Sequence, residues 1–387
     1  MDSTQTNPDF ARRLLVLLVL SAFAATSLTA QRRRKMPESS DEPTLYFEDF
    51  QPRSMLVVEE NPLTRSKFPF IDVHGHLFRA PGMSSDQIAE HVAEMDKMNM
   101  GTFVNLSGGS GENLERSIEN TRGAHAGRFA VFANVDFSGI GKPGWGEKAA
   151  RQLEADIRAG AQGLKIYKNL SMYQYDTDGN RVAADDPRID PVWEVCARMN
   201  VPVLIHVGEP PAFWLEHNGN NERWLELKQF PDRKRSDTER FASFEQTMAE
   251  QHNLFRNHPN TKFINAHLGW YGNDLARLGE LLDELPNMYT EIGAVLAELG
   301  RQPRTAREFL IRYQDRVLFG KDSWNPPEYH VYFRVLETAD EYFDYYRARH
   351  AHWKMYGLDL PDEVLKKVYY KNALKLVPGI DASQYPE

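Results

Sequence analysis

Residues 69–76 read PFIDVHGH, a short apolar run of β type that ends in two histidines separated by one glycine. A nucleotide-binding α/β sheet carries a glycine-rich turn after its first strand, and no such turn follows this run. Histidines in this place instead indicate side chains that bind or react at the carboxyl end of a strand.

Similar apolar runs recur along the chain and alternate with helical patterns, which is typical of βα units and a parallel sheet. Eight strands are predicted, at 69–73, 102–106, 129–135, 163–167, 203–206, 263–267, 288–292 and 317–319. Helices are predicted at 85–98, 145–159, 191–199, 238–257, 273–285, 304–313 and 328–345. This number of units in a chain of this length predicts the α/β class and a (β/α)₈ TIM barrel. A doubly wound open sheet is the alternative.

The composition restricts the partners and the metal chemistry. The chain has 387 residues, with 46 Lys plus Arg against 55 Asp plus Glu, so its formal net charge is −9. Phosphate binding needs clustered Lys and Arg, and the acidic balance therefore argues against a nucleic-acid partner. The single cysteine, Cys196, excludes an internal disulfide and a multi-cysteine metal site. Any metal must take histidine and carboxylate ligands.

The first thirty residues have the pattern of a signal peptide, with Arg12 and Arg13, an apolar run at 14–25, and small or polar residues up to Ala30. The run is short for a membrane span, which needs roughly 20 residues. We therefore expect cleavage, export to the periplasm or the medium, and no stable membrane insertion afterwards. An uncleaved anchor is the alternative, because a basic cluster follows the apolar run. Residues 31–66 are predicted to be an extension that wraps the fold, and residues 67–380 the catalytic barrel domain.

Active sites of such barrels lie at the carboxyl ends of the strands, and four histidines stand at these positions. His74 and His76 follow the first strand, His206 ends the fifth, and His267 ends the sixth. Asp322 follows the eighth strand. His74 and His76 are two residues apart, so in an extended chain both side chains point the same way. Imidazoles and a carboxylate in this arrangement suit Zn²⁺, or a similar divalent metal, with an open position for water.

As a set, these segments resemble the amidohydrolase superfamily, in particular its amidohydrolase-2 branch of metal-dependent barrel enzymes. The resembling segments are 71–76, 163–167, 202–208, 320–324 and a closing helix at 365–374. The resemblance implies that His74, His76 and His206 bind metal. It also implies that His267 binds a second metal or acts beside the first, and that Asp322 binds metal or serves as the base.

Lys165 has a setting similar to that of a lysine which is carboxylated in the two-metal members of the superfamily and bridges their ions. An unmodified ammonium near a dication is repelled, so Lys165 must be carbamylated, paired with an acid, or turned away. We expect one divalent ion per chain, zinc first. Two ions with a carboxylated Lys165 are the alternative.

The predicted activity is hydrolysis of an ester, lactone or amide bond. A divalent ion lowers the pKa of bound water from ~15.7 towards ~7 and polarises the scissile carbonyl. Asp322 would then take the proton and pass it to the leaving group. One alternative is a decarboxylase of the same branch. The other is an exported binding protein on a barrel without catalysis.

Loops at the strand ends predict a small polar or anionic substrate that contains a ring, because aromatic faces occur there close to Lys and Arg. The candidate substrate-binding residues are Tyr167, Lys168, Glu209, Trp214, Trp270, Glu291, Arg301 and Trp324. Arg301 and Arg304, after the seventh strand, are the candidates that would clamp a carboxylate, and the alternative is that at least one of them is a solvated residue at a helix start. The alternative is that the aromatic residues only pack the loops. Assembly into a homo-oligomer is a further expectation.

Overall fold

The computed structural model describes residues 44–123, 125–350 and 353–386. The chain divides into two compact units, residues 1–52 and 53–387. The predicted signal segment, 1–30, lies outside the described residues. In the first unit, the described part contains a 3₁₀ turn at Phe47–Asp49. Within the described ranges, no helix has the length and apolar character that a membrane crossing requires.

Nine short strands in parallel order form the barrel of the second unit. They are β1 (Phe70–Gly75), β2 (Met100–Asn105), β3 (Phe129–Val131), β4 (Ala133–Asn134), β5 (Leu164–Ile166), β6 (Val203–Ile205), β7 (Phe263–Asn265), β8 (Met288–Glu291) and β9 (Val317–Leu318). One sheet has the order β1-β2-β3 and the other runs from β4 to β9 in sequence order. β3 and β4 are two halves of the third predicted strand, so each of the eight predicted strands is present.

Backbone hydrogen bonds join the two sheets into a closed barrel. Gln162 N, just before β5, donates to Val131 O at 2.8 Å and continues the sheet past the break between β3 and β4. On the other side, Val73 N donates to Phe319 O at 3.0 Å, so β1 meets the chain directly after β9. The predicted TIM barrel is confirmed. Its closure brings the carboxyl ends of the strands to one mouth.

Helices surround the barrel and its mouth. They are Ser85–Met98, Glu112–Arg122, Trp145–Arg158, Asn169–Met172, Asp190–Met199, Trp224–Gln229, Phe244–Asn257, Leu275–Glu284, Leu296–Gly300, Pro303–Arg312, Pro326–Glu337, Asp362–Lys366 and Asn372–Leu376. The first begins where predicted because Ser84 and Gln87 form a capping box, each side chain accepting from the other residue's backbone N–H. The helix predicted to start at 238 starts at Phe244, because Ser243 caps it there.

The helix predicted at 328–345 is shorter than expected and ends at Glu337. Thr338 has extended backbone angles, φ −109° and ψ 164°, which stop the helix. The chain then forms an antiparallel pair of short strands, β10 (Phe343–Asp344) and β11 (Lys354–Met355). This hairpin replaces the last turns of the predicted helix.

An aromatic cluster seals the seam where β1 meets the chain after β9. The Phe319 ring lies 4.8 Å from that of Phe70 and 5.5 Å from that of Tyr369, measured between ring centroids. All three rings are buried. Beside this seam, Asp322 N donates to His74 O at 2.7 Å, so the same packing holds two candidate ligands together.

The end of the predicted extension lies on the barrel. Asn61 donates from its backbone N and its side-chain Nδ2 to the Asp340 carboxylate, at 2.7 and 2.8 Å. Ser66 N donates to Met98 O at 3.2 Å. These bonds agree with a wrapping extension at its C-terminal end, and wrapping by the rest of 31–66 stays a prediction.

Truncation of Leu318 in β9 should destabilise the barrel. This side chain is fully buried, and Leu318→Ala should lower the free energy of unfolding by about 2–5 kcal/mol through lost burial and a residual cavity. The matched control is Leu215→Ala, because Leu215 is 61% exposed and should change stability by only about 0.5 kcal/mol. Urea unfolding measures both, and equal losses would contradict the assigned packing of β9.

His91 should make the fold sensitive to acid. It is buried in the helix Ser85–Met98, and burial lowers its pKa from 6.5 to about 4. Between these values the unfolded chain binds a proton that the folded chain does not, so stability falls as the pH drops, by about 1.4 kcal/mol per pH unit. His91→Leu should reduce the stability lost between pH 6.5 and pH 5 by about 2 kcal/mol. Denaturant titrations at both pH values test this, and identical losses in the two proteins would refute it.

Candidate metal centre and active site

The mouth of the barrel gathers the five residues predicted at the strand ends. His74 lies in β1 and His76 just beyond it, while His206 and His267 follow β6 and β7. Asp322 follows β9. The side chains of His74 and His267 are buried, and that of Asp322 reaches solvent. Parallel strand order alone brings these side chains together.

A chain of hydrogen bonds fixes the tautomer of His76. His76 Nδ1 lies 2.8 Å from Ser107 Oγ, which lies 2.9 Å from the Tyr167 hydroxyl. That hydroxyl donates to Leu106 O at 3.1 Å. Because the last acceptor is a carbonyl, each group donates to the next, and His76 Nε2 is left with a lone pair. Tyr167, predicted to contact substrate, is in this structure a positioning residue for His76.

Glu291 fixes His74 in the same tautomer. Its Oε1 lies 2.9 Å from His74 Nδ1 and also accepts from His267 N at 2.6 Å. Its Oε2 accepts from Gly293 N at 2.5 Å. A carboxylate at Nδ1 keeps the ring proton there and leaves Nε2 as an acceptor. Glu291 is fully buried and bound to these donors, so in this structure it positions His74, and its substrate contact stays a prediction.

Acceptor atoms face one another where these residues meet. His74 Nε2 lies 3.5 Å and His76 Nε2 3.7 Å from Asp322 Oδ1. Burial lowers the pKa of His76 to about 4 and holds that of His74 well below 6.5, so both rings are neutral near pH 7. Two imidazole lone pairs and a carboxylate oxygen repel one another unless a cation lies among them. The donor set therefore fits a divalent metal.

His206 and His267 form a second pair beside the first. His267 Nδ1 donates to Gly293 O at 2.7 Å, so its Nε2 accepts from His206 Nδ1 at 3.3 Å. His206 Nε2 is then a lone pair, and it is buried without a hydrogen-bond partner in the described part of the chain. Buried polar atoms are normally satisfied, so this acceptor also fits a metal. The His267 ring stacks on His74 at 4.8 Å between centroids, which joins the two pairs.

Lys165 in β5 lies at the same meeting point. Its Nζ is 3.3 Å from His74 Nε2, and the side chain is buried. Burial lowers the pKa of Lys165 from 10.5 to about 7, so the neutral amine is present at neutral pH. Of the three states that the sequence left open for Lys165, a side chain turned away from the site is excluded.

Two aspartates of the site differ in character. Burial raises the pKa of Asp72 to about 6, although its oxygens accept from His74 N at 2.9 Å, Lys321 N at 3.1 Å and Tyr329 Oη at 2.6 Å. Burial would also raise the pKa of Asp322, but its electropositive surroundings, formed by His74, His267, His76 and Lys165, outweigh burial and hold that pKa below its usual range. Asp322 is therefore ionised at neutral pH. Asp72, which sequence reasoning missed, supports the backbone on both sides of the site.

A cavity of about 270 Å³ opens at the cluster. Six of the predicted residues line it, namely Lys168, His206, Glu209, His267, Trp270 and Asp322. Residues that sequence reasoning missed line it as well, among them Phe213, Arg223, Glu226, Arg233, Arg347, Arg349 and His350. Lys168 Nζ and Glu209 Oε1 form an ion pair at 2.8 Å. The cavity is therefore polar and rich in guanidinium groups.

Besides Tyr167 and Glu291, three predicted substrate contacts lie outside this cavity. Trp214 donates its indole N–H to a backbone carbonyl at 2.9 Å. The Trp324 ring stacks on His91 at 3.7 Å between centroids. Arg301 pairs with Glu222 at 3.2 Å and lies over another aromatic ring. In this structure the three side chains bind or stack on neighbouring protein groups, and their substrate contacts stay predictions.

The missed arginines Arg347 and Arg349 belong to one segment, residues 345–350, which we call the basic strap. It reads YYRARH. The clustered basic and aromatic residues of the basic strap could have indicated a binding segment. Nothing in the sequence, however, places this strap at the mouth of the barrel. The end of the preceding helix at Glu337 and the β10–β11 hairpin direct it there.

Glu291→Gln should weaken metal binding. The new amide nitrogen cannot accept a hydrogen bond, so at least one of the donors now bound to Glu291 loses its partner. We expect the affinity for Zn²⁺ to fall by about 10- to 100-fold, as for other residues that orient a metal-binding histidine. Competition with a chelator of known affinity measures it. Glu112→Gln, at an exposed helix start, is the control, and an unchanged affinity of the Glu291 variant would disprove the orienting role.

Comparison with known proteins agrees with this geometry. A model of the amidohydrolase family (Amidohydro_2) matches residues 71–379. A dihydroxybenzoic acid decarboxylase from Polaromonas sp. JS666, solved with bound manganese and the inhibitor 2-nitroresorcinol, has 14% identity and a TM-score of 0.51, over 82% of this chain and 99% of that chain. A 2,6-dihydroxybenzoate decarboxylase complexed with 2,6-dihydroxybenzoate has 14% identity and a TM-score of 0.50, over 80% and 99%.

These structures support the fold alone, because the identity is low. No curated protein matches the chain. The family match is of a different kind, since it covers the barrel from β1 to the last helix. It confirms the resemblance seen at the strand ends, and the chain belongs to the amidohydrolase family, in its amidohydrolase-2 branch.

Proposed function

We propose that this chain is a metal-dependent hydrolase that cleaves an ester, lactone or amide bond in a small anionic substrate. Family membership makes it an enzyme acting on small molecules, and the reaction type is our inference. One observation carries it. The lone pairs of His74 Nε2 and His76 Nε2 face the same oxygen of Asp322, at 3.5 and 3.7 Å.

His74, His76 and His206, together with Asp322, are the residues that would hold a divalent ion. When bound, such an ion supplies Lewis-acid chemistry, lowering the pKa of water from ~15.7 towards ~7 and polarising a carbonyl. Glu291 and the Ser107–Tyr167 pair keep the Nδ1 protons of His74 and His76 away from it. We propose one ion per chain, zinc first.

Asp322 is the proposed base. Its carboxylate is ionised at neutral pH, lines the cavity and reaches solvent. In the proposed reaction Asp322 accepts the proton of the attacking water and delivers it to the leaving group. His267 holds His206 through the Nε2–Nδ1 contact of 3.3 Å, so its proposed role is to position that ligand.

The chemical state of Lys165 distinguishes the one-metal proposal from the two-metal alternative. Its buried amine beside His74 is partly neutral near pH 7, which is the form that carboxylation requires. A carboxylated Lys165 would supply oxygen ligands for a second ion. Metal content of protein purified without chelator decides this, because two equivalents per chain would favour the alternative.

Decarboxylation is the second candidate. The cavity contains several guanidinium groups that would hold a substrate carboxylate. Two structures of similar fold are decarboxylases of dihydroxybenzoates, one of them with bound manganese. A screen of lactones, esters, amides and aromatic carboxylic acids separates the candidates, because activity confined to carbon dioxide release would favour the lyase.

Export is the proposed location, with removal of residues 1–30. The support is the order of basic, apolar and small residues in that segment. Sequencing the N-terminus of the mature protein tests it. A mature protein that starts at Met1 would favour the uncleaved anchor.

His206→Ala should abolish metal-dependent turnover. The variant loses the unpartnered Nε2, and we expect kcat/KM to fall by about 1000-fold or more, which is about 4 kcal/mol of barrier. Metal content should fall with it. The control is His330→Ala, which changes a half-buried histidine of the helix Pro326–Glu337. Wild-type turnover by the His206 variant would refute the metal mechanism, and ligand binding without any metal or turnover would favour a non-catalytic binding protein.

A further inference from the structure

The cavity contains more cations than acids to neutralise them. Glu209 Oε1 accepts from Lys168 at 2.8 Å and from Arg235 at 3.0 Å. Glu226 lies between Arg223, at 3.0 Å, and Arg233. Each of these two carboxylates is bound to two cations.

Two further carboxylates, those of Glu328 and Glu298, bind cations of this region. Glu328 accepts from Lys321, and also from Arg347 at 3.3 Å. Glu298 adds a further carboxylate for Arg223, at 2.5 Å. Six cations therefore share four carboxylates, namely Lys168, Arg223, Arg233, Arg235, Lys321 and Arg347 with Glu209, Glu226, Glu298 and Glu328. Asp322 is a fifth acid of the cavity, which still leaves one cation in excess.

Arg349 adds a seventh cation, and it has no acidic partner within 4.0 Å among the described residues. It lines the cavity and is partly buried, and its Nε is buried without a hydrogen-bond partner. Its guanidinium lies 5.2 Å from the Phe230 ring centroid, and that of Arg233 lies 4.7 Å from the same centroid. The two cations are thus held on one aromatic ring. Burial lowers the pKa of Arg349, and the positive charges of Arg347 and Arg233 lower it further. This direction agrees with a shortage of negative charge around the Arg349 guanidinium.

We propose that Arg349 is a specificity-determining residue that binds a carboxylate of the substrate, a group separate from the bond that reacts at the metal centre. The proposal rests on the proposed function, since it names the substrate class of the same site. A guanidinium without an acidic partner binds a planar carboxylate through charge-assisted hydrogen bonds. A bound carboxylate would also reduce the repulsion between Arg349 and Arg233.

The apolar part of the same cavity indicates what carries this carboxylate. Phe213 and Trp270 line it together with the cations, and the Trp270 ring lies 4.7 Å from that of His267 between centroids. Aromatic walls favour a flat ring. The substrate class is therefore a carboxylate-bearing ring compound with its carboxylate toward the basic strap.

Binding of benzene-1,3-dicarboxylate tests this without turnover. Calorimetric titration of the full-length metal-loaded enzyme should show that this probe binds at least tenfold more tightly than neutral benzene-1,3-dicarboxamide, and more weakly as salt is added. Arg349→Gln should weaken dicarboxylate binding at least tenfold and leave dicarboxamide binding unchanged. Arg349→Lys keeps the charge but not the planar pair of donors, so its affinity for the dicarboxylate should lie between those of the wild type and Arg349→Gln. Arg151→Gln, an exposed arginine of the helix Trp145–Arg158, is the matched control.

The outcomes separate this proposal from the metal mechanism. The proposed carboxylate-binding role of Arg349 is supported if its variants bind the dicarboxylate more weakly while their metal content and thermal unfolding are unchanged. This result would hold whatever reaction the enzyme catalyses. Equal binding of dicarboxylate by wild type and Arg349→Gln overturns it, even if His206→Ala abolishes turnover. A wild-type enzyme that does not prefer the dicarboxylate to the dicarboxamide also overturns it.

Discussion

The site depends on one constraint, which is that the Nδ1 protons of His74 and His76 are held by acceptors behind the rings. Glu291 holds the first at 2.9 Å and Ser107 holds the second at 2.8 Å. Both Nε2 atoms must then present lone pairs toward Asp322. This arrangement is electrostatically unfavourable without a cation, because the fold holds three acceptor atoms close together. A positive charge among these atoms would stabilise it. Lys165 supplies part of that charge, and a divalent metal would supply it more fully.

The barrel gives this constraint its rigidity. Glu291 ends β8, while the groups that it binds come from β1 and from the turns after β7 and β8. The seam between β1 and the chain after β9 is closed by a backbone bond and by packed aromatic rings. Because the carboxylate is buried and fully bound, no water competes for it. The imidazoles are therefore oriented before any ligand arrives.

Electrostatics divides the mouth of the barrel into two regions. In the histidine cluster, burial lowers the pKa values of His74, His76 and His206, and their neutral rings beside the ionised Asp322 suit a metal. The wall that includes the basic strap carries cations in excess of its carboxylates. A substrate with a carboxylate at one end and a reactive carbonyl at the other would satisfy both regions. A hydrolase and a decarboxylase would use these two regions differently, which explains why the cavity alone does not select between them.

The sequence by itself determined the barrel and the residues at its strand ends. Strand periodicity is local, and parallel order sends every strand end to one mouth, so His74, His76, His206, His267 and Asp322 could be named in advance. The partners of these residues could not be named, because Glu291 and His74 are 217 positions apart and their contact depends on the closed sheet. The same holds for the protein partners of Tyr167, Trp214, Arg301 and Trp324, which the sequence did not indicate. Only the tertiary structure placed Arg349 at the site, since hydrogen bonds and ion pairs form between groups that folding brings close, whatever their separation along the chain.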